Sequence, residues 1–448
     1  MKFSKFGQKF TQPTGISQLM DDLGDALKSD QPVNMLGGGN PAKIDAVNEL
    51  FLETYKALGV DNDAGEANSS AIISMANYSN PQGDAAFIDA LVGFFNRHYD
   101  WNLSAENIAL TNGSQNAFFY LFNLFGGAFA DEKSQDKESQ SIDKSILLPL
   151  TPEYIGYSDV HVEGQHFAAV LPHIDEVTHD GEAGFFKYRV DFEALENLPA
   201  LKEGRIGAIC CSRPTNPTGN VLTDEEMAHL SEIAKRYEIP LIIDNAYGMP
   251  FPNIIYSDAQ LSWDNNTILC FSLSKIGLPG MRTGIIVADA KVIEAVSAMN
   301  AVVNLAPTRF GAAIATPLVN DDRIKQLADN EIKPFYQKQA TLAVKLLKDA
   351  LGDYPLMIHK PEGAIFLWLW FKDLPISTLE LYERLKEKGT LIVPSQYFFP
   401  GVDVSNYQHA HECIRMSIAA DEQTLTDGIK VIGEVVRELY DEANSQNY

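Results

Sequence analysis

The chain contains 448 residues, of which 45% are hydrophobic, and this is enough apolar material for a large core divided into two or three packing units. Its formal net charge is −25, which argues against a nucleic-acid or anionic-membrane partner, because phosphate binding needs clustered lysine and arginine. A small-molecule ligand is the remaining expectation.

The predicted elements alternate between short apolar runs and longer amphipathic segments, which indicates an α/β fold with a mostly parallel sheet. In chain order, we predict a helix over 116–130, strands over 145–150 and 205–212, a helix over 224–238, strands over 239–245, 267–274 and 282–289, and a helix over 421–446. Thr223 is the predicted N-cap of the second helix. Polar composition predicts surface loops at 61–70, 131–144 and 178–184, the second being a solvated insertion.

The four cysteines, Cys210, Cys211, Cys270 and Cys413, form no CxxC pair, so the sequence predicts neither a zinc site nor a disulfide framework. They are expected to be buried thiols in a reducing compartment. The amino-terminal residues have no apolar run of signal-peptide length, and no later stretch is apolar and long enough to span a bilayer. We therefore expect a cytoplasmic protein.

The most informative run is SLSKIGLPGMRTGIIV, in which Lys275 follows an apolar strand and Arg282 lies seven positions later. A lysine sheltered at a strand end can have a lowered amine pKa and condense with an aldehyde, while nearby hydroxyls and an arginine suit a phosphate dianion. The alternative is a surface lysine in a glycine-rich turn, since short motifs also match by chance.

A second run, IPLIIDNAYG, has Asp244 at the end of an apolar strand and Tyr247 three residues later. Open α/β sheets bind ligands beyond the carboxyl ends of their strands, so both side chains can face one site. A buried carboxylate there needs a cationic partner, and a protonated pyridine nitrogen would be one. The alternative is that Asp244 caps the following turn.

Two further runs lie at strand ends. In SRPTNPTGNV, prolines on both sides of Asn216 stiffen the loop, and its amide could bond a ring hydroxyl, although an ordinary turn has the same composition. In ALTNGSQNAFFYLF, the free backbone N–H groups around Gly113, Ser114 and Gln115 could hold an anion. Any turn from a strand to a helix resembles this second run.

In their order and spacing, the NGSQ turn, the RPTNPTG loop, the DNAY strand end and the SLSK lysine resemble the fold-type I aminotransferases, which are similar to aspartate aminotransferase. The stretches NMLGGGNPA, TPEYIGY and HKPEGAIFLWLWFKDLPI extend the resemblance, along nearly the whole chain, to the valine–pyruvate aminotransferases within that family. The resemblance implies a large cofactor domain over 46–308, a smaller α/β carboxyl-terminal domain over 309–448, and an arm over 1–45 that joins the small domain.

The resemblance also implies pyridoxal 5′-phosphate as the cofactor, bound covalently to Lys275. Asp244 would then pair with its pyridine nitrogen, Asn216 and Tyr247 would bond its 3-hydroxyl, and Tyr154 would stack on its ring. The residues implied around the phosphate are Gly113, Ser114, Gln115, Ser272 and Arg282.

Three further expectations follow from the resemblance. Tyr78, in NYSNPQGD, would reach the phosphate in the neighbouring subunit of a homodimer with shared sites. Arg415 would bind the substrate α-carboxylate bidentately, together with the backbone around Gly38 and Gly39 and the amide of Asn216. Aspartate aminotransferase has one more residue between its cofactor lysine and its phosphate arginine than the seven-position step found here, so the loop path should differ.

The implied reaction moves an amino group between valine and pyruvate, giving 3-methyl-2-oxobutanoate and alanine. No position can be assigned to the second arginine that dicarboxylate-specific members use, and this fits an apolar substrate. A lyase of the same fold, or an aminotransferase for another neutral amino acid, would use the same anchors. A ligand-sensing regulator is disfavoured because only about forty residues precede Pro41, and a catalytically dead protein is disfavoured by the presence of Lys275, Asp244 and Arg415.

Overall fold

The computed structural model describes residues 1–11, 24, 33–58, 77–130, 141–164 and 166–446. Within these ranges the larger sheet has eight strands. Across the sheet they run in the order Ile108–Thr111, Gly284–Val287, Thr267–Ser272, Leu241–Asp244, Ile206–Ser212, Ser141–Leu148 and Gly127–Ala130, with Phe167–Ala169 also paired to Ser141–Leu148. Gly284–Val287 and Gly127–Ala130 run in the opposite direction to the other six described strands, so the prediction of a mostly parallel sheet is confirmed.

The central strands are buried on both faces, as expected for apolar runs in a parallel sheet. Successive residues point to opposite sides, so Ile242 and Ile243 belong to two separate hydrophobic cores. Helices cover both faces, namely Ala85–Tyr99, Ser114–Phe125, Asp224–Arg236 and Ala290–Val303. Thr223 is the N-cap of Asp224–Arg236, as predicted, and forms a capping box with Glu226.

A second sheet of six described strands contains much of the carboxyl-terminal part of the chain. Its order is Val393–Pro394, Cys413–Ser417, Phe366–Phe371, Leu356–His359, Glu182–Arg189 and His173–His179. The predicted last helix is confirmed as Glu422–Gln446, and Gly433 within it packs closely on Ala350 of helix Lys333–Leu351. The sheet combines strands from before and after residue 308, and the domain limits at 45 and 308 stay a prediction.

The remaining elements connect the two sheets and bring the amino-terminal part of the chain to the carboxyl edge of the larger one. Strand Asn34–Met35 pairs with Thr390–Leu391, and the Leu36 carbonyl accepts a hydrogen bond from the Ser417 N–H, so 37–39 lies beside the second sheet. The other described α-helices are Lys5–Lys9, Asp45–Ala57, Phe192–Asn197, Pro199–Lys202, Phe310–Asn320, Arg323–Leu327 and Thr378–Glu387, and Ala328–Ile332 is a π-helical turn. No helix in the described ranges has both the length and the apolarity to cross a membrane.

Three predicted segments need correction. The helix expected over 116–130 ends at Phe125, because Gly126 and Gly127 interrupt it and Gly127–Ala130 becomes an edge strand. Strand Gly127–Ala130 pairs with residues 141–144, so these residues form a strand and not the predicted loop. The loop expected at 178–184 is a tight hairpin between two strands, with the turn at Asp180 and Gly181. The predicted loop at 61–70 and the insertion over 131–140 lie outside the described residues.

Candidate active site

The carboxyl ends of three neighbouring strands meet at one edge of the larger sheet. Ser212 is in register with Asp244, and Ser272 ends the next strand, three residues before Lys275. A cavity of about 490 Å³ opens at this edge. Twelve of the sequence-predicted residues line it: Gly38, Gly39, Ser114, Gln115, Tyr154, Asn216, Asp244, Tyr247, Ser272, Lys275, Arg282 and Arg415.

Lys275 presents its amine inside this cavity. Its Nζ donates a hydrogen bond of 2.6 Å to the Gly39 carbonyl and lies 5.3 Å from the centroid of the Tyr247 ring. Burial, with a further contribution from the Arg415 charge, lowers the pKa of Lys275 to about 8. About a tenth of the amine is therefore unprotonated at pH 7, far more than for an ordinary lysine, and is able to attack a carbonyl carbon.

Asp244 is the buried anion opposite this amine. Its Oδ2 accepts a 2.9 Å hydrogen bond from the Tyr157 hydroxyl, and its Oδ1 accepts one of 3.0 Å from the Ala246 N–H. Burial raises the pKa of Asp244 to about 6, and the Tyr157 hydrogen bond opposes part of that rise. The side chain is thus mainly a carboxylate at neutral pH, without an ion-pair partner among the described residues, and can stabilise a cation.

The amino terminus of helix Ser114–Phe125 and Arg282 form an anion cradle. Gly113 is the N-cap with φ of 84°, a backbone conformation that favours glycine, and a Cβ at this position would lie 2.2 Å from Arg282 Nη2 and displace the guanidinium. Among the described residues, the Arg282 guanidinium makes only long hydrogen bonds, 3.4 Å to the Pro279 carbonyl and 3.5 Å to that of Asn112. Free helix N–H groups and a loosely held guanidinium suit a phosphate.

Two more polar side chains lie at the cradle. Gln115 donates through Nε2 to the Gly156 carbonyl at 2.8 Å, while its buried Oε1 has no hydrogen-bond partner in the described part of the chain. Ser272 Oγ accepts a 3.1 Å hydrogen bond from the Ser274 N–H, which leaves its own hydrogen free to donate. Both groups are therefore available to a ligand.

Arg415 also lines the cavity and is only 3% exposed. It donates through Nη1 to Asn216 Oδ1 at 2.9 Å and through Nη2 to the Gly37 carbonyl at 2.7 Å. The guanidinium carbon lies 4.2 Å from the centroid of the Phe366 ring, and burial lowers the pKa of Arg415 to about 10. No described acidic side chain forms an ion pair with it, so its charge is available to a carboxylate.

Tyr154 forms one wall of the cavity. Its ring lies directly on the backbone of Gly156, where a Cβ would come within 2.3 Å of Tyr154 Cε1, and it packs edge-to-face on Tyr157 at 5.4 Å. This packing holds the aromatic face in one orientation. A flat ligand can therefore stack on it.

Two of the predicted residues do not line the cavity. Gly113 lies just behind the lining as the helix N-cap, and Tyr78 is 80% exposed on the surface. Sequence reasoning missed three residues, Glu153, Ser212 and Tyr157. The end of its strand could have identified Ser212, but no local pattern distinguishes Glu153 and Tyr157 from ordinary loop residues. The described residues contain no cluster of His, Cys, Asp or Glu suited to a metal ion.

Comparison with known proteins identifies the family. The aminotransferase class I and II family matches residues 176–432. The chain is 44% identical to the valine–pyruvate aminotransferase of Escherichia coli strain K12 over 445 residues, covering 99% of this chain and 100% of the relative.

Two crystal structures resemble the chain throughout. Valine-pyruvate aminotransferase from Salmonella typhimurium LT2 is 43% identical with a TM-score of 0.82, over 95% of this chain and 100% of that one. A protein from Psychrobacter arcticum 273-4, provisionally described as an amino-acid aminotransferase, is 93% identical with a TM-score of 0.95, over 98% and 99% of the two chains. The predicted fold-type I architecture is thereby confirmed, and this chain belongs to the aminotransferase class I and II family.

Proposed function

We propose that this aminotransferase binds pyridoxal 5′-phosphate through Lys275 and exchanges the amino group between valine and pyruvate, giving 3-methyl-2-oxobutanoate and alanine. The observation that carries the proposal is a buried Arg415 that has no ion-pair partner among the described residues and lines the same cavity as Lys275, in a chain with a full-length relative named as a valine–pyruvate aminotransferase. The similarity over 99% of the chain disfavours a lyase of the same fold.

The donor set fits the cofactor at each of its polar groups. The cradle of backbone N–H groups that follows Gly113 at the start of its helix, with the loosely held Arg282 beside it, suits the phosphate. The Asp244 carboxylate would hold a proton on the pyridine nitrogen, and Tyr154 would cover the ring face. By the same assignment Ser114 and Ser272 would bond the phosphate, and Asn216 and Tyr247 the 3-hydroxyl.

Pyridoxal phosphate, when bound, supplies an electron sink for the electron pair released at the substrate α-carbon. Arg415 would bind the substrate α-carboxylate, with the backbone at Gly38 and Gly39 beside it, and so orient the α-carbon toward Lys275. The Lys275 amine, with its pKa lowered to about 8, would take the α-proton as general base and deliver it to the carbon that receives the amino group.

The charges in the cavity favour substrates with a neutral side chain. The cationic side chains among its described lining residues are Lys275, Arg282 and Arg415, and each is assigned to the cofactor or to the α-carboxylate. A side-chain carboxylate would enter without a partner, and an unpaired buried charge costs several kcal/mol. Aspartate and glutamate should therefore be poor substrates.

A substrate panel tests this specificity. We expect kcat/KM for valine and alanine to exceed that for aspartate and glutamate by at least about 100-fold, because of the unpaired charge. Arg415→Ala should lower kcat/KM for all four substrates together, since they share the α-carboxylate. Arg384→Ala, which changes a solvent-exposed side chain outside the cavity, should leave these values unchanged. The measurement is initial rates with pyruvate as acceptor for valine, aspartate and glutamate, and with 3-methyl-2-oxobutanoate as acceptor for alanine. Equal use of aspartate and valine by the wild type would refute the assignment.

We also propose a homodimer with shared active sites. Tyr78 is 80% exposed, and Ser79 beside it donates to the Pro307 carbonyl at 3.5 Å, which joins this loop to the segment containing Val302 and Leu305. Those two apolar side chains are 86% and 59% exposed. An apolar surface of this kind supports contact with a second copy of the chain.

Mixed dimers test the shared site. Tyr78→Ala and Lys275→Ala should each be strongly impaired as homodimers. After subunit exchange, the heterodimer should recover about one wild-type site, because one site then combines native Tyr78 with native Lys275. Activity is measured on tag-separated heterodimers. Failure to recover activity in verified heterodimers would contradict the shared arrangement.

For location we propose the cytoplasm. The four cysteines are free and buried, with the pKa of each thiol raised by burial. Protonated thiols of this kind are typical of proteins in a reducing compartment. Fractionation of cells that express the protein would test this proposal.

A further inference from the structure

Glu153 is a buried carboxyl group for which the proposed chemistry has no role. It immediately precedes Tyr154 and is 1% exposed. Its Oε1 accepts a 2.8 Å hydrogen bond from the Ser212 N–H, its Oε2 is hydrogen-bonded to the Ser212 hydroxyl, and the Tyr154 N–H lies 3.3 Å from Oε2. The carboxyl group therefore connects the Tyr154 loop to the end of strand Ile206–Ser212.

This position is electrostatically unfavourable for a second anion. Within the described part of the chain no cation forms an ion pair with Glu153. Burial raises its pKa to about 8, and the nearby Asp244 adds to that rise, although the hydrogen bonds from Ser212 and Tyr154 oppose part of it. An unpaired carboxylate away from water is costly, whereas a neutral carboxyl group with two hydrogen-bond partners is not. The ionisable groups that interact with Glu153 are Asp244, Tyr157, Cys210 and Cys211.

Glu153 also lies where it can control two residues of the cavity. Tyr154 is its chain neighbour, and Ser212, its hydrogen-bond partner, is in parallel register with Asp244. The Arg213 N–H, next to Ser212, donates to the Asp244 carbonyl at 2.9 Å. A displacement at Glu153 would therefore be transmitted both to the aromatic wall and to the buried anion.

We propose that Glu153 is a positioning residue that keeps its proton, donates it in a hydrogen bond to Ser212 Oγ, and thereby holds Tyr154 and Asp244 in place. The inference rests on the proposed function for the roles of those two residues. A neutral Glu153 leaves Asp244 as the anion that faces the ligand. It also gives the strand end and the loop a connection that does not depend on water.

Three variants separate this role from others. In Glu153→Gln the amide oxygen can accept from the Ser212 N–H while the amide nitrogen donates to Ser212 Oγ, which reproduces the neutral acid. Glu153→Ala removes the connection. Glu225→Gln changes an exposed glutamate on helix Asp224–Arg236 and is the control.

The protonation state can be measured without cofactor or substrate. Infrared spectra of the apoprotein at pH 7 should contain a C=O stretching band of a protonated carboxyl group that is absent from Glu153→Gln and retained in Glu225→Gln. The pKa of Glu153 is raised from 4.5 to about 8, so the band should disappear as the pH rises through about 8. If Glu153→Gln loses no such band, Glu153 is ionised and the proposal is wrong.

The pH dependence of folding stability is a second test, and the proposal fixes the direction of the expected change. The pKa of Glu153 is higher in the folded protein than in the unfolded chain, so its proton stabilises the folded state. This stabilisation is fully present below pH 4.5 and is lost as the pH rises toward 8. Glutamine does not titrate, so Glu153→Gln should become progressively more stable relative to wild type between pH 5 and about 8. Thermal melting at several pH values measures this. A pH-independent difference would count against the proposal.

Activity then tests the positioning role. Glu153→Gln should keep a kcat close to that of the wild type, while Glu153→Ala should lose about 10- to 100-fold in kcat, with an altered visible spectrum of the bound cofactor. Equal damage in the two variants would mean that a negative charge is needed, and full activity in Glu153→Ala would mean that the position is dispensable; either result overturns the proposal. If the wild type does not convert valine, the proposed substrate is wrong. The infrared and melting experiments would still determine the protonation state of Glu153.

Discussion

Substitution of Lys275 by alanine should abolish amino transfer from valine to pyruvate, with a fall in kcat of at least about 10³-fold. The variant loses both the amine that binds the cofactor covalently and the base that moves the α-proton. No other described lysine lines the cavity, so no neighbouring amine can replace it. Turnover is measured by alanine formation.

The same variant should still fold and bind the cofactor noncovalently, because the cradle around Gly113 and Arg282 and the carboxylate of Asp244 remain. Mass spectrometry after borohydride reduction should detect covalent cofactor on the wild type and on the control Lys291→Ala, in which the changed side chain is exposed on helix Ala290–Val303. It should detect none on Lys275→Ala. Near-wild-type turnover in Lys275→Ala would remove the basis of the assigned site.

Local sequence patterns were sufficient for the central strands and the residues at their ends. Apolar runs such as 239–245 form strands because both faces are buried, and their carboxyl ends meet at one edge because the strands are parallel. That is why Asp244 and Lys275 could be expected in one cavity without knowledge of the helices. Arg415 was expected there only through the family resemblance.

Other features depend on contacts between residues far apart in sequence. Tyr157 donates to Asp244 across 87 positions, and Arg415 reaches Gly37 across 378. No periodicity in the chain encodes such pairs. The strand at 141–144 was missed for a different reason, since this end of strand Ser141–Leu148 pairs with the edge strand Gly127–Ala130 and its exposed polar residues have the composition of a loop.

The buried charges of the cavity are interdependent. The Arg415 charge contributes to the lowered pKa of Lys275, while Asp244 opposes that decrease. Removing Asp244 should therefore affect the amine as well as the ligand that the carboxylate faces. Substitutions of Asp244 therefore test how strongly its negative charge affects Lys275 and the bound ligand.

Asp244→Asn should reduce kcat by about 10²- to 10⁴-fold, because the neutral amide cannot hold a proton on the pyridine nitrogen and the electron sink is weakened. The asparagine keeps the size of the side chain, and its Oδ1 can still accept from the Ala246 N–H, so the local turn survives. The loss should therefore appear in kcat and in the visible spectrum of the bound cofactor while the melting temperature changes little.

Tyr157→Phe is the matched control, since it removes the 2.9 Å hydrogen bond to Asp244 but keeps the carboxylate. If activity depends on the negative charge of Asp244, the kcat of Tyr157→Phe should fall by only about tenfold or less, which is far less than the fall in Asp244→Asn. If Asp244 serves only to cap its turn, Asp244→Asn should stay within a few-fold of wild type, because the amide oxygen caps equally well. The ratio of the two kcat values therefore decides between a carboxylate that acts on the cofactor and one that merely stabilises the turn after its strand.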